Sequence, residues 1–287
     1  GTMGCASRNA SEPARATPAP ACSGAAGSRE IVAVVDFETT GMSPRLGARA
    51  TEIAVVLVQN ERIVGRYQSL MRSGAWVPPF IEQLTGISNR MLDGAPPASQ
   101  VMREVAAFVG ASPMVAHNAA FDRSFWDAEL ERAGGNANGM GDGDGDGNGG
   151  GHGGVHEYRG GTGDDKPIRS AATIAAPFAC TLLLSRRLND DAPNHRLGTL
   201  AEWFDLPRAG CAHRAMADAE VTAHLLMRVP RAVERRFAEH LPNEGVTHGL
   251  LAALQRAPKK ALAKCVAQYR QAESSRERPP VAMQFGC

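Results

Sequence analysis

A continuous apolar run opens the patterned part of the chain: residues 31–35 read Ile-Val-Ala-Val-Val and lead directly into Asp36-Phe37-Glu38. A β-branched run of this length is typical of a strand that is covered on both faces in the middle of a sheet. Because side chains alternate along a strand, Asp36 and Glu38 are predicted to project from one face and Phe37 from the other. The pattern therefore predicts a central strand that ends in two carboxylates on one face.

Downstream of this strand, the pattern predicts two more strands at Glu52–Val58 and Arg62–Met71, joined by a polar turn at residues 59–61. Three strands in succession form an antiparallel meander that begins with the buried strand. A short helix is then predicted between Pro78 and Ile87. A clearer helix begins at Ser99, because the apolar residues that follow it recur at helical spacing.

An acidic residue opens the next predicted helix. The short apolar strand at residues 114–116 leads into His117-Asn118-Ala119-Ala120-Phe121-Asp122, and a helical pattern follows. Asp122 is therefore expected in the first turn of a helix that starts just beyond a strand end. A carboxylate in that position is favourable with the helix dipole and needs no other role, so its position alone leaves its function open.

The last part of the pattern predicts a short strand at residues 178–181, helices at residues 182–188 and 197–204, and a final amphipathic helix after His213. His213 and Asp218 are five residues apart, so on one continuous helix they would point about 140° away from each other. They can serve one site if His213 lies on the loop before the helix and Asp218 lies inside it. An interior Asp beside an apolar stripe is an unfavourable choice for structure alone, which favours a functional role.

Changes in composition divide the chain. Residues 1–29 are rich in Ala, Pro, Ser and Arg and are predicted to be a disordered leader. Residues 134–165 are rich in Gly, hold almost nothing that can be buried, and are predicted to be a flexible insertion within one domain. The domain itself is placed at residues 30–229. Residues 230–287 show scattered helical patterning and are predicted to be a helical extension of unknown role.

Charge and cysteine usage narrow the class of protein. The net charge is +1 and the pI is about 7.8, so no general basic field indicates a nonspecific nucleic-acid binder, although a local site for a few nucleotides remains open. The six cysteines are scattered and form no C-x-x-C pair, which argues against a zinc knuckle and a disulfide framework and favours the cytoplasm. No window holds the roughly 18 apolar residues of a membrane helix, so no membrane partner is expected.

The paired carboxylates on the first strand indicate metal chemistry. Two anions on one face at the end of a buried strand repel each other and lose hydration. A divalent metal ion is the simplest source of compensating charge for Asp36 and Glu38. From this stretch alone, the alternative that both carboxylates have left the sheet for solvent is equally open.

Three acidic motifs in order carry a resemblance to a known family. The chain resembles the DnaQ-type DEDDh 3′–5′ exonucleases, including the proofreading epsilon subunit of bacterial DNA polymerase III. Asp36 to Gly41 (Asp-Phe-Glu-Thr-Thr-Gly) is similar to the first exonuclease motif, His117 to Asp122 to the second, and His213 to Asp218 to the third, H-x4-D. The resemblance covers about Ile31 to Val229. It implies an α/β fold of the ribonuclease H-like kind, with a mixed five-stranded sheet flanked by helices.

The resemblance also implies a catalytic site. In this family four carboxylates hold two Mg²⁺ or Mn²⁺ ions, and in this chain they would be Asp36, Glu38, Asp122 and Asp218. Asp36 would bridge the two ions, Glu38 and Asp218 would complete one site, and Asp122 would help the other, partly through water. His213 would take the proton from the attacking water, a role that suits a side chain titrating near neutrality.

The substrate expected from the resemblance is the single-stranded or frayed 3′ end of DNA, from which 5′-mononucleotides are released during replication or repair, with a DNA polymerase subunit as a candidate partner. Thr39 with its adjoining backbone, and Thr85, are the expected substrate-binding residues. Two positions depart from the family pattern. Thr85 stands where the proofreading subunit has His, and Cys180 stands where many relatives have Asp.

Two alternatives to a DNA exonuclease follow from the same residues. An exoribonuclease of the ribonuclease T or oligoribonuclease kind would share the same site chemistry, and the sequence does not decide between the two. A catalytically inactive DnaQ-like scaffold for a polymerase belongs to another class. The presence of all five catalytic positions disfavours that scaffold.

Overall fold

The structure is a computed structural model, and it describes residues 30–135, 178–208, 210 and 212–276. The predicted leader at residues 1–29 lies outside the described residues, as does the predicted Gly-rich insertion apart from its first two residues. In the part of the chain that is described, no helix is both long enough and apolar enough to cross a membrane.

One mixed sheet of five strands organises the described residues, in the order β3-β2-β1-β4-β5. β1, β2 and β3 form an antiparallel meander, and β4 and β5 run parallel to β1 on its other side. This confirms the predicted mixed sheet with a buried central strand. The strands are β1 (Val32–Thr39), β2 (Ala50–Gln59), β3 (Arg62–Leu70), β4 (Met114–Ala116) and β5 (Ala179–Cys180).

Helices pack against both faces of the sheet. Single 3₁₀ turns occur at Pro44–Leu46, Ala238–His240 and Lys259–Ala261. The described α-helices are α1 (Pro79–Thr85), α2 (Asn89–Asp93), α3 (Ala98–Val109), α4 (Ala119–Gly135), α5 (Thr181–Leu188), α6 (Leu197–Trp203), α7 (Ala215–Phe237), α8 (His248–Leu254) and α9 (Leu262–Arg276).

The element boundaries differ from the sequence prediction by one or two residues. Thr181 was predicted in the strand but opens α5, where its hydroxyl is 2.8 Å from Nδ1 of His117. Phe204 was predicted in the helix but follows α6, which its backbone N–H caps. β2 begins two residues before Glu52, because Ala50 pairs with Thr39 beyond an irregularity in the β1–β2 register.

The two faces of β1 pack against different helices. Ala33, Val35 and Phe37 belong to the core that holds α3 and α4. Val34 belongs to the opposite core, in which small residues of α7, such as Ala215 and Ala219, meet the sheet. Because Asp36 lies two residues along from Val34, strand alternation places it on the α7 face.

The C-terminal part of the chain completes the α7 face. α7 continues past Val229, the predicted end of the domain, and buries Val233 and Phe237 in the same core as Val34. Gln255, just after α8, accepts a hydrogen bond from Cys180 N at 2.6 Å and donates one to the Phe178 carbonyl at 2.9 Å. Buried apolar residues beyond 229, among them Leu250, Leu254 and Val266, therefore belong to the same hydrophobic core as the sheet.

Candidate active site

The carboxyl end of β1 is irregular where it meets β2. Glu38 lies directly opposite Glu52 in the antiparallel register, and the pairing shifts between Glu38 and Thr39. An irregularity of this kind bends the strand and re-aims the side chains beside it, and such features are common next to active sites. The end of β1 is therefore the first place to look for functional side chains.

Three carboxylates meet at this end of the sheet. Asp36 and Glu38 project from β1 towards α7, and Asp218 lies in the first turn of that helix. One carboxylate oxygen from each residue lies within 4.8 Å of those of the other two. All three side chains are partly exposed, so the cluster is accessible from solvent.

Asp122 approaches the same strand end from the other side. It lies in the first turn of α4, which begins just beyond β4, the parallel neighbour of β1. Its side chain is buried, and its Oδ1 accepts a hydrogen bond at 3.2 Å from the backbone N–H of Phe37, which lies between Asp36 and Glu38 in the chain. α4 and α7, which lie on opposite faces of the sheet, thus place Asp122 and Asp218 at the carboxyl end of β1.

The cluster binds protons more tightly than isolated carboxylates do. Burial raises the pKa of Glu38 to about 8, with repulsion from Asp218 and Glu52 adding to the effect. Burial also raises the pKa of Asp122 to about 7, against the opposing hydrogen bond from Phe37. The pKa of Asp36 is raised well above its usual range by burial, then by the charge of Asp122. Concentrated negative charge of this kind has to be neutralised by protons or cations.

The donor set fits a divalent cation of the hard type. Mg²⁺ and Mn²⁺ prefer carboxylate oxygens, and the cluster of Asp36, Glu38 and Asp218 offers only such atoms. Asp122 is not one of the carboxylates that lie within 4.8 Å of one another, but its hydrogen bond to the Phe37 N–H brings a fourth carboxylate to the same strand end. The resemblance implies these four residues as the metal ligands, and that assignment stays a prediction.

His213 lies on the loop immediately before α7, with its side chain exposed and its backbone in the left-handed region at a φ of 60°. Burial raises the pKa of Asp218, while the charge of His213 and a backbone hydrogen bond from it oppose the increase. His213 therefore lies close to Asp218. The loop position removes the 140° separation that one continuous helix would impose.

Thr39 and Thr85 use their hydroxyl groups within the chain. Thr39 is buried, and its Oγ1 donates to the carbonyl of Gly41 at 2.7 Å. Thr85 is also buried; its Oγ1 donates to the carbonyl of Ile81 at 2.9 Å and accepts from the N–H of Ile87 at 3.1 Å. Both hydroxyls stabilise local turns, and a contact of either residue with substrate stays a prediction.

Sequence reasoning missed two residues beside the carboxylates. Glu52 on β2 is only 1 % exposed, and Arg214, the residue after His213, forms a bidentate ion pair with it. A signal was present in the sequence, because Glu52 is the one charged residue of β2 (Ala50–Gln59). Its importance emerges only once the register places it opposite Glu38.

Sequence reasoning also missed a group of exposed apolar side chains. They lie in two segments, one directly after β1 and one directly after β3. Both segments leave the sheet at the same end, because Glu52 pairs with Glu38 near the end of β1 and with Leu70, the last residue of β3. The largest of these side chains, Trp76, is 71 % exposed. The group comprises Met42, Leu46, Trp76, Phe80 and Leu84.

Comparison with known proteins identifies the family to which this arrangement is similar. The family model described as Exonuclease (RNase_T) matches residues 33–138. A DNA polymerase III PolC-type protein of Halalkalibacterium halodurans is 33% identical over 208 residues, which is 72% of this chain and 12% of that protein. A 3′-5′ exonuclease DinG of Bacillus subtilis is 42% identical over 101 residues, or 35% of this chain and 11% of that protein. The chain thus spans about an eighth of the length of these relatives.

Solved structures show the same fold. Exonuclease I of E. coli, in a zinc-bound complex with single-stranded DNA, matches with a TM-score of 0.51 at 15% identity, covering 73% of this chain and 42% of that one. The nuclease domain of 3′hExo, described as a DEDDh family member bound to rAMP, matches with a TM-score of 0.50 at 15% identity, covering 71% of this chain and 92% of that one. The sheet and its helices therefore form a ribonuclease H-like exonuclease fold.

Proposed function

This chain belongs to the DnaQ-like family of DEDDh exonucleases, and from this membership we propose that it hydrolyses DNA from the 3′ end and releases 5′-mononucleotides. The observation that carries the proposal is the convergence of Asp36, Glu38 and Asp218, whose carboxylate oxygens lie within 4.8 Å of one another. Asp122 reaches the same strand end through its hydrogen bond to the backbone of Phe37.

The four carboxylates would hold two Mg²⁺ or Mn²⁺ ions. Burial, and then the charges of Asp122 and Asp218, raise the pKa of Asp36, so Asp36 lies near both of these carboxylates. This proximity supports a bridging position for it. Two ions bound there would stabilise the attacking and departing oxygens of an in-line displacement at the phosphodiester.

His213 is proposed as the general base. Its imidazole is exposed on a loop beside Asp218, so it can accept a proton from a water molecule at the cluster and return it to solvent. Asp218 restrains this loop, because a backbone hydrogen bond joins it to His213. The left-handed backbone of His213 places its side chain outside the regular helix, where the helical periodicity does not dictate its direction.

The proposed substrate is a single-stranded or frayed 3′ end. The net charge of +1 gives no general affinity for duplex DNA, which depends on contacts between basic residues and phosphates. Trp76, in the loop before α1, and Phe80, within α1, are exposed, and aromatic side chains can stack on unpaired bases. The sizeable identity to a PolC-type DNA polymerase III supports DNA over RNA. It also supports a role in replication or repair.

Direction, sugar preference and metal dependence are tested with oligonucleotides of one sequence. Single-stranded DNA and RNA, each labelled at either the 5′ or the 3′ end, are incubated with Mg²⁺, with Mn²⁺ or with a chelator. We expect 3′-labelled DNA to release labelled mononucleotide at once and 5′-labelled DNA to shorten stepwise, with no hydrolysis in chelator.

Each of the other possible outcomes would point to a different function or direction of hydrolysis. Faster degradation of RNA would establish the exoribonuclease function. Release of the 5′ label first would overturn the direction. A folded protein that binds single strands but hydrolyses neither polymer would establish the scaffold function.

A further inference from the structure

Glu52 presents an electrostatic problem at the candidate site. It lies on β2 directly opposite Glu38 and is only 1 % exposed. Like charges that face each other across a strand pair destabilise the sheet, and a buried carboxylate without partners is strongly unfavourable. Glu52 must therefore be compensated by its surroundings.

Four hydrogen bonds supply this compensation. Arg214 donates to both carboxylate oxygens, from Nη2 to Oε1 at 2.7 Å and from Nε to Oε2 at 3.0 Å. Gln68 Nε2 donates to Oε1 at 2.7 Å, and Ala215 N donates to Oε2 at 3.1 Å. A carboxylate offers about four acceptor positions, so Glu52 is fully occupied and is not available as a metal ligand.

These bonds act at the start of α7. Arg214 precedes the first residue of the helix and offers it no side-chain cap. Glu52 caps the helix instead, because it accepts a hydrogen bond from the first helical N–H, that of Ala215. Its negative charge also lies at the N-terminal end of the helix, where the helix dipole favours it. His213 is joined to Arg214 by one peptide bond, and Asp218 N donates to the Arg214 carbonyl at 3.2 Å. The ion pair therefore fixes the segment that carries both residues.

We propose that Glu52 and Arg214 are a positioning pair that sets His213 and Asp218 relative to Asp36 and Glu38. The pair joins β2, the hydrogen-bonded neighbour of β1, to the start of α7, which carries Asp218. It therefore links the strand pair that holds Asp36 and Glu38 to the helix whose carboxylate must meet them. This role rests on the proposed nuclease function. The expected effect is large, because a displacement of about 1 Å in catalytic groups can lower a rate by about 10²-fold.

A second buried pair offers a matched control. Glu129 on α4 is also 1 % exposed, and Arg49 donates to its two oxygens at 2.8 and 3.0 Å. The N–H of Ala50 donates to the same carboxylate at 3.2 Å. Arg132 Nη1 is a further donor to Glu129 at 3.5 Å, as Gln68 is to Glu52. This pair therefore repeats the chemistry of the first, but it ties α4 to the start of β2 instead of holding α7.

The experiment compares Glu52→Gln with Glu129→Gln. Each replaces an oxygen by an NH₂ group that faces donors, so both are expected to lower the melting temperature by similar amounts. In Glu52→Gln we expect kcat on single-stranded DNA to fall by about 10- to 10²-fold with KM within about threefold. In Glu129→Gln we expect kcat within about threefold of the wild type. Equal losses of kcat in the two variants would overturn the proposal.

Mn²⁺ binding to the DNA-free protein gives a readout that does not depend on turnover. Because Asp218 is one of the clustered carboxylates, its displacement should weaken Mn²⁺ binding in Glu52→Gln, by about tenfold or more, and leave it unchanged in Glu129→Gln. Unchanged Mn²⁺ affinity in Glu52→Gln would overturn the positioning role. If the wild type binds Mn²⁺ but hydrolyses no substrate, the proposed function fails, while the Mn²⁺ comparison still decides the role of the pair.

A second pair of variants covers the case in which Glu52→Gln does not fold. Arg214→Lys and Arg49→Lys keep the positive charge and lose the bidentate geometry. We expect only Arg214→Lys to lower kcat and Mn²⁺ affinity. Equal behaviour of these two variants would count against the proposal.

Discussion

The two faces of β1 carry very different side chains near its carboxyl end. On the α4 face, Phe37 packs beside Phe125, with ring centroids 6.4 Å apart, and Phe121 lies 4.9 Å from Phe125. On the α7 face, the neighbouring positions are Asp36 and Glu38, which repel each other and Asp218. One short strand thus carries an aromatic core on one side and concentrated negative charge on the other.

The difference shows how stability and function are divided in this fold. Aromatic side chains contribute much of the free energy of folding because they bury a large apolar area. Carboxylates that repel each other lower stability and persist where they serve a function. Burial of the aromatic side chains therefore offsets the loss of stability caused by the repelling carboxylates on the opposite face of the strand. Substitutions on the two faces should have separable effects.

The largest effect is expected from Asp36→Asn. Removing the central carboxylate displaces a metal ion and its stabilisation of the transition state, which is worth several kcal/mol, so hydrolysis should fall by about 10³-fold or more. The metal-free variant should be at least as stable as the wild type, because a neutral amide replaces a carboxylate whose ionisation is disfavoured by burial and by Asp122. Initial rates with Mg²⁺ and thermal unfolding with a chelator check both points. Near wild-type turnover would contradict the metal-binding role.

His213→Ala should have the next largest effect. The loss of a general base lowers the rate by about 10²-fold, and part of the loss should be recovered at higher pH, where hydroxide replaces the base. Mn²⁺ affinity should stay unchanged, because His213 is not one of the clustered carboxylates. A pH–rate profile with a parallel Mn²⁺ titration separates the loss of the general base from a loss of metal binding. An unchanged rate at pH 7 with normal metal binding would exclude His213 as the base.

Phe125→Leu tests the aromatic face. Phe125 is fully buried, so the smaller side chain should lower the free energy of unfolding by about 1–2 kcal/mol. Activity per folded molecule should stay within about threefold, because the substitution leaves the carboxylates in place. Urea unfolding and initial rates at a temperature well below the midpoint provide the measurement. A loss of activity greater than the loss of folded protein would show that the two faces are not separable.

The smallest effect concerns the pH dependence of stability. In the folded protein the pKa of Glu38 is raised from its usual 4.5 to about 8. Protonated Glu38 therefore stabilises the metal-free protein fully below about pH 4.5, and this contribution is lost as the pH rises towards 8. Glu38→Gln does not titrate, so its stability relative to the wild type should rise across this window, by on the order of 1 kcal/mol after solvent screening.

Unfolding curves for both proteins in chelator, at pH 5 and pH 8, check this expectation. Added Mg²⁺ should reverse the difference, because the metal stabilises only the intact cluster. A stability difference that is the same at both pH values would show that Glu38 carries no raised pKa.

Local patterns predicted much of the site. The alternation of Asp36, Phe37 and Glu38 follows from strand geometry, and the structure confirms that Phe37 lies on the face opposite to Val34. The position of Asp122 in the first turn of a helix also depends on neighbours in sequence only. These features are predictable because the residues that determine them are within a few positions of one another.

The features that were missed depend on distant parts of the chain. Glu52 and Arg214 are 162 residues apart, and their contact requires both the β1–β2 register and the placement of α7. Nothing in the residues around Gln255 indicated its bonds to β5, because they depend on how the chain returns after α7. Long-range contacts of this kind follow from the whole fold and not from local periodicity.

The two bonds that Gln255 makes have a consequence for aggregation. β5 is an outer strand of the sheet, and unpaired peptide groups on such a strand can pair with a strand of another molecule. The side-chain amide of Gln255 combines an acceptor oxygen with an NH₂ donor, much as a peptide group combines C=O and N–H, and it binds Cys180 N and the Phe178 carbonyl. One buried glutamine thus takes the place of a sixth strand. Its loss would leave this border of the sheet open to association with other chains.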